Sequence, residues 1–337
     1  MRLLLTGGGT LGSVTPLLAL YDTLHPEAVF WIGTKHGVEE ELIRASSIPF
    51  YSIVSGKFRR YWDVRTIIAP FAVCIGFLQA LFLLIRLRPT HVFSAGGYVA
   101  VPVVWAAWAL RIPVYAIQLD RQSGLANRLI APFVKCIFTV FQESANHFKK
   151  RPVQVVGSFV RQSFIQAANN AQKNDRPTLL IIGGGTGADG LNALVRDALV
   201  PLVKICNVVH LTGRGKHRAF ALPNYTAYEF LGDELPSLMA SADIVISRAG
   251  MGTLSELAYL KKAAIVIPLP ESPQAANAGV LAAAGAAVVR SQQEYTPTQC
   301  LSDIQKLLDH PEQRKQLGDR LHTILPTDGA EKIKNSL

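Results

Sequence analysis

Residues 247–274 read SRAGMGTLSELAYLKKAAIVIPLPESPQ and hold the chain's densest set of groups able to bind a polar ligand. An apolar stretch, residues 243–247, ends in Arg248 and the glycines Gly250 and Gly252, and a helix then starts through Thr253, Ser255 and Glu256. A second apolar stretch, residues 263–268, leads into a proline-rich loop carrying Glu271 and Gln274. In parallel α/β sheets, ligands collect where strands end and helices begin, because backbone N–H groups are exposed there. Hydroxyls, amides and one carboxylate converging on such an end suit an anionic, hydroxyl-rich ligand, and a nucleotide fits. Thr253 to Glu256 also spells the S/T-x-x-E capping box, which does no more than start a helix. A cap leaves Arg248, the two glycines and the second polar loop without a purpose, so a binding site is the preferred reading.

Two glycine turns could add phosphate contacts. Gly7, Gly9 and Gly12 satisfy G-x-G-x-x-G after an apolar strand, and residues 183–187 repeat the plan as GGGTG. Consecutive glycines let amides approach phosphate oxygens, and the following helix dipole adds to the attraction. The competing reading of each is a tight strand-to-helix turn with no ligand. The next strand after the first turn, residues 28–33, runs into Thr34, Lys35 and His36 with no acid to hold a ribose, so NAD binding is discounted. The second turn is preferred for the nucleotide, and the first would face a different phosphate group.

Other candidates lie at strand ends. Arg161 could bind pyrophosphate or make a surface ion pair, and Glu256 could accept two hydrogen bonds from a ribose diol. Gln274 and Asn277 could bind sugar hydroxyls, or cap the helix that starts near Ala275. Asp120 and Gln118 are the acid/base candidates of the first half, with a helix cap or loop hydrogen bond as the rival reading of Asp120. His36, His91 and His147 have no acid at useful spacing and read as structural. No metal-ligand cluster appears, and no cofactor is expected.

The elements that must position these groups follow one plan: strand, glycine-marked loop, helix, repeated. That pattern predicts an α/β fold with doubly wound parallel sheets. The restarts LLLTGGGTLGS and LLIIGGGTGAD imply two similar Rossmann-like halves, and 337 residues suffice for two cores. Apolar residues make up 49% and charged residues 17%, which excludes disorder, and the net charge of +10 suits phosphorylated substrates or an anionic membrane surface. Without a Lys/Arg run or zinc ligand set, nucleic acid is not an expected partner. Cys74, Cys136, Cys206 and Cys300 are scattered and read as reduced core residues, and a strand at the very start is read as no signal peptide. Residues 67–85 form an apolar run flanked by Arg59, Arg60 and Arg65 before and Arg86 and Arg88 after. A core helix with one membrane-facing edge is preferred there over an interfacial helix and a span, since Pro70 and the soluble pattern on both sides oppose crossing.

The segments TGGGTLGSVTP, SAGGYVAVP, GSFVR, GGGTGADGLN, SADIVISRAGMGTLSEL and PLPESPQAANA resemble the MurG-like N-acetylglucosaminyltransferases of glycosyltransferase family 28, over residues 3 to about 287. The resemblance implies the GT-B fold, two Rossmann-like domains facing a cleft, with an acceptor domain over residues 1–160 and a UDP-sugar domain over 161–320. A C-terminal helix in residues 321–337 is then expected to pack back on the first domain. It implies an inverting transfer of GlcNAc from UDP-GlcNAc to an undecaprenyl-diphosphoryl muramoyl-pentapeptide, by a peripheral protein at the cytoplasmic face of the cell membrane. The family's UDP-sugar contacts fall on Thr10, Leu11, Gly12, Asp120, Arg161, Gly185, Leu231, Met251, Gly252, Thr253, Leu254, Ser255, Glu256 and Gln274. Gly96, Gly97 and Tyr98, with the first turn, would cradle the acceptor diphosphate. The family's GGTGGH is GGTLGS here, with Ser13 at the histidine position, and its HEQN is Ile117-Gln-Leu-Asp120. A lone serine is a weak base, so Asp120 is the candidate base beside Ser13. The altered first-half loops leave two alternatives: a UDP-sugar transferase with another lipid acceptor, and a catalytically weak UDP-sugar-binding protein.

Overall fold

The computed structural model describes residues 1–9, 11–35, 37–56, 64–172, 174–184, 187–216 and 221–337. Thr10, Gly185, His36, Arg59 and Arg60 therefore lie outside the described residues. The chain divides into two compact units, Met1–Phe159 with Asp328–Leu337, and Val160–Thr327.

The first unit is built on β1 (Arg2–Thr6), β2 (Ala28–Thr34), β3 (Phe50–Ile53), β4 (His91–Ser94), β5 (Val114–Gln118), β6 (Cys136–Thr139) and β7 (Val153–Val155). All pair in parallel, in the order β3-β2-β1-β4-β5-β6-β7. Its helices are α1 (Thr15–Leu24), α2 (Val38–Ala45), α3 (Val64–Leu87), α4 (Ala100–Ala109), α5 (Leu125–Ile130) and α6 (Gln142–Ala145). The second unit carries α7 (Gln162–Asn169), β8 (Thr178–Ile182), α8 (Asp189–Ile205), β9 (Asn207–Leu211), β10 (Tyr225–Tyr228) and α9 (Leu235–Ser241). There follow β11 (Ile244–Ser247), α10 (Met251–Tyr259), β12 (Ala263–Val266), α11 (Pro273–Ala283), β13 (Val288–Val289), α12 (Pro297–Asp309) and α13 (Pro311–Ile324). The second sheet is also parallel, ordered β10-β9-β8-β11-β12-β13. α14 (Gly329–Lys334) belongs to the first unit, where it packs on α1 and the Gly329 amide donates to Ser158 O at 3.1 Å.

These are the doubly wound α/β sheets the alternating pattern predicts. β5 and β8 are buried at every residue, because helices cover both faces of a parallel sheet and strands inside it need no polar side. Each sheet has one place where strand order reverses. It lies between β1 and β4 in the first unit, and between β8 and β11 in the second. Connections leave such neighbours in opposite directions, so a crevice opens at their C-terminal ends. Both glycine turns sit at these points.

The apolar run proves to be α3, packed along α4. Ala69, Val73, Ala80 and Leu84 form its buried stripe, and Gly76 fits there because a Cβ would overlap the Val54 carbonyl. Its other side exposes Phe71 (71%), Ile75, Leu78 (63%), Phe82 (65%) and Ile85. That spacing of four and three residues draws one apolar line along the outer surface of the helix. Cys74, expected inside, is exposed, because its position falls on the outer side of the same helix.

Candidate nucleotide site

In the second unit the switch point brings together the C-terminal ends of β8 and β11. α10 starts directly after β11, with Gly250 as its N-cap and no side chain capping it. Thr253 lies inside the helix, so the capping-box reading of Thr253 to Glu256 fails. The true capping box of this unit is Thr296 with Gln299, at the start of α12. The first turn of an α-helix has N–H groups without intrahelical acceptors, and here the amides of Met251, Gly252 and Thr253 hold that position. No heavy atom of the described residues lies within 4 Å of where a Gly250 Cβ would stand.

Glu256 sits one turn into α10, only 4% exposed. Arg161, the N-cap residue of α7, donates from Nε at 2.9 Å and from Nη2 at 2.6 Å to its Oε1. The guanidinium also lies 4.8 Å from the Phe164 ring centroid, which fixes it by stacking. Burial raises the Glu256 pKa above the ordinary carboxylate value, and the Arg161 charge and hydrogen bonds pull it part of the way back.

The other groups divide into those facing the crevice and those building its walls. Ser255 donates its hydroxyl to Met251 O at 2.7 Å and is buried in the helix. Asn277, fully buried on α11, donates to Ala249 O at 3.1 Å and ties that helix to the end of β11. Arg248 is also a wall residue. It donates to Ile267 O at 2.9 Å and to Gln292 Oε1, joining the ends of β11 and β12, and burial lowers its pKa. Arg248, which the sequence offered as a ligand group, instead turns Nη1 and Nη2 onto the wall. Gln274 accepts the Leu269 amide on Oε1 at 3.0 Å, and Ser272 caps its backbone N–H. Leu231 is buried just beyond β10, beside the exposed Gly232. Gly184, after β8, has φ +92°, an exposed surface and no described residue within 4 Å of a hypothetical Cβ.

In the first unit the two glycine loops meet at the β1/β4 switch point. A Cβ on Gly97 would overlap Gly8 O, and one on Gly9 would lie 2.8 Å from the Tyr98 ring. Gly9, Gly96 and Gly97 all have positive φ, near +85°, which glycine alone adopts without cost. Leu11, Gly12 and Ser13 form one 3-10 turn, and Ser13 is buried with its carbonyl against Gly7. Asp120 follows β5 in a half-exposed bend, and its carbonyl accepts Gln118 Nε2 at 2.6 Å. The cap of the next helix is Gly124, so Asp120 is no helix cap. Gln118 is consumed within this loop, also donating to Gln122 O at 3.1 Å and accepting from Asn127 Nδ2 at 2.8 Å. Asn127 escaped sequence reasoning. It is 7% exposed, its Oδ1 has no hydrogen-bond partner among the described residues, and that oxygen points to Gly96. Among the described residues, no cluster of three or more His, Cys, Asp or Glu side chains has metal-binding geometry.

Residues 3–139 match the model of the glycosyltransferase family 28 N-terminal domain, and residues 178–332 match that of its C-terminal domain. The chain belongs to glycosyltransferase family 28. A relative from Clostridium kluyveri named UDP-N-acetylglucosamine--N-acetylmuramyl-(pentapeptide) pyrophosphoryl-undecaprenol N-acetylglucosamine transferase is 38% identical, over 91% of both chains. A Legionella pneumophila relative of the same name is 35% identical over 97% of this chain and 94% of its own. Among solved structures, MurG of Acinetobacter baumannii superposes with a TM-score of 0.73 at 25% identity, covering 99% of this chain and 98% of that one. A UDP-GlcNAc 2-epimerase from Neisseria meningitidis bound to UDP-GlcNAc shares the fold, with a TM-score of 0.70 at 13% identity over 100% and 99% of the two chains. The two-domain GT-B architecture of the family is thus the architecture of this chain.

Proposed function

We propose that this chain transfers N-acetylglucosamine from UDP-GlcNAc to undecaprenyl-diphosphoryl-N-acetylmuramoyl-pentapeptide, as the names of its full-length relatives describe. The observation that carries the reading lies in the second unit: an uncapped helix start and a buried carboxylate share the open end of the β8/β11 switch point. The amides of Met251, Gly252 and Thr253 face the donor diphosphate, and the helix dipole stabilises the charge that grows there as UDP leaves. Glu256 accepts from the ribose diol. Gln274 contacts the transferred sugar, and Leu231, Leu254 and Arg161 complete the donor contacts. The sugar hydroxyl of the acceptor attacks the anomeric carbon as the bond to the diphosphate oxygen breaks, inverting the centre. Asp120 takes the proton of that hydroxyl, because the serine at position 13 has no comparable basicity. Gly96, Gly97 and Tyr98 lie on the acceptor's diphosphate. The chain works at the cytoplasmic face of the membrane as a peripheral protein, with the outer line of α3 in the lipid boundary and Arg86 and Arg88 at anionic headgroups.

The test is transfer of radiolabel from UDP-GlcNAc to the lipid-linked muramoyl-pentapeptide in vesicles. Labelled lipid product supports the reading. Calorimetric UDP binding without transfer to this acceptor would leave a binder or a transferase of another lipid, and no UDP binding would remove the donor site itself.

A further inference from the structure

The two glycine turns share the sequence GGGT, but their middle glycines have different surroundings. Aligning LLLTGGGT with LLIIGGGT sets Gly8 against Gly184. A Cβ on Gly184 would meet no described residue within 4 Å, whereas one on Gly8 would overlap the Glu39 carboxylate. Glu39 is the second residue of α2 and has no exposed surface. Its Oε1 accepts from the Thr34 amide at 2.8 Å and from the Thr34 hydroxyl. Its Oε2 accepts from the Gly9 amide at 3.2 Å. Gly37 is glycine for the same side chain, since a Cβ there would overlap Oε2.

A glycine turn takes a phosphate through its amides, in the space that absent Cβ atoms leave. In the first unit the amide of Gly9 and the space over Gly8 both belong to a carboxylate of the chain. An acid does therefore follow β2, five residues beyond Thr34. It is turned inward onto the glycines, where a free acid would reach outward to a ribose.

We propose that Glu39 is a built-in anion that fills the phosphate position of the first glycine turn. It closes the first turn to phosphate, including the acceptor diphosphate that the sequence offered to it, which is left to Gly96, Gly97 and Tyr98, and leaves the second turn to the nucleotide. The selection works by charge as well as by volume, because an entering phosphate meets a buried negative group where it needs N–H donors. This assignment stands whether or not the transfer reaction is the one proposed above.

The experiment compares wild type, Glu39→Ala and Glu39→Gln, with inorganic phosphate as the probe and chloride at equal ionic strength as the control. Two readouts are taken: the Gly9 amide resonance in glycine-labelled protein, and the melting temperature. In Glu39→Ala, phosphate shifts the Gly9 resonance saturably and raises Tm beyond the wild-type response, on the order of 5 °C at about one hundred times its Kd. Wild type and Glu39→Gln, whose turns stay filled, show no saturable Gly9 shift. Comparison with wild type cancels any phosphate held by the second unit. A saturable Gly9 shift in wild type, or its absence in folded Glu39→Ala, overturns the proposal. Should the alanine variant not fold alone, refolding in phosphate against chloride reads the same vacancy. Recovery in phosphate supports the assignment, and equal failure in both salts with Glu39→Gln folded refutes it.

Discussion

Arg161 spends two donors on a single oxygen of Glu256, Nε at 2.9 Å and Nη2 at 2.6 Å, and so orients a buried carboxylate whose pKa burial has raised. A ribose diol needs that group ionised as its acceptor. Affinity for UDP is then full above the folded pKa and falls as pH drops through it, at a higher pH than an ordinary carboxylate would allow. Stability runs the opposite way, because the folded state keeps this proton longer than the unfolded chain. The neutral form's contribution is present below the unfolded pKa and is lost as pH rises through the folded one. Calorimetric UDP titrations taken downward from pH 8 check the binding half, and an affinity that begins to fall no earlier than for an ordinary carboxylate contradicts it.

Arg161→Met keeps the stem and removes the charge. Glu256 then loses the influence that opposes burial, and the acid limb of UDP binding moves to higher pH. At neutral pH the loss is roughly 10- to 100-fold, for hydrogen bonds to a charged group worth about 1.5–3 kcal/mol. Unchanged affinity together with an unmoved limb would show that the pair does not serve the site.

Asn277→Ala leaves the Ala249 carbonyl without its buried donor. The expected cost is about 1–3 kcal/mol in urea unfolding, together with weaker UDP binding because the end of β11 is no longer fixed. A variant as stable as wild type refutes the clamp.

Asp120→Asn keeps the bend, since the contact to Gln118 is made by the backbone carbonyl. Turnover falls by about 100-fold or more, as for the loss of a general base, while UDP affinity stays unchanged. Full turnover in this variant removes Asp120 as the base.

Leu78→Glu combined with Phe82→Glu places two charges on exposed positions of α3. The melting temperature should hold, and co-sedimentation with anionic vesicles should drop several-fold. Undiminished sedimentation would move the membrane contact elsewhere.

Periodicity and glycine spacing made the architecture readable. The strand and apolar stretches read at residues 28–33, 243–247 and 263–268 are β2, β11 and β12, within about two residues at each end. β13 was missed because it is two residues at a sheet edge inside an alanine-rich stretch, too short to carry a period. At the site, Glu256 and the glycines before α10 were legible because a polar group at the end of an apolar strand stands out. Arg248 and Asn277 were harder: a side chain facing a ligand and one holding a wall have the same composition, and only hydrogen-bond partners separate them. Glu39 was hidden among Glu39-Glu-Glu41, which reads as a solvated helix start until the fold turns one of the three inward.

The placement of α14 bears on how the polypeptide is made. Most of the first unit's core residues precede position 160, yet the helix that carries Ala330 and Ile333 and packs on α1 emerges from the ribosome only after the whole second unit has been synthesised. Until then one flank of α1 is uncovered, and the amino-terminal unit waits, incomplete, through the translation of 168 residues, 160–327. Its closure comes only after the second unit already has every element it needs.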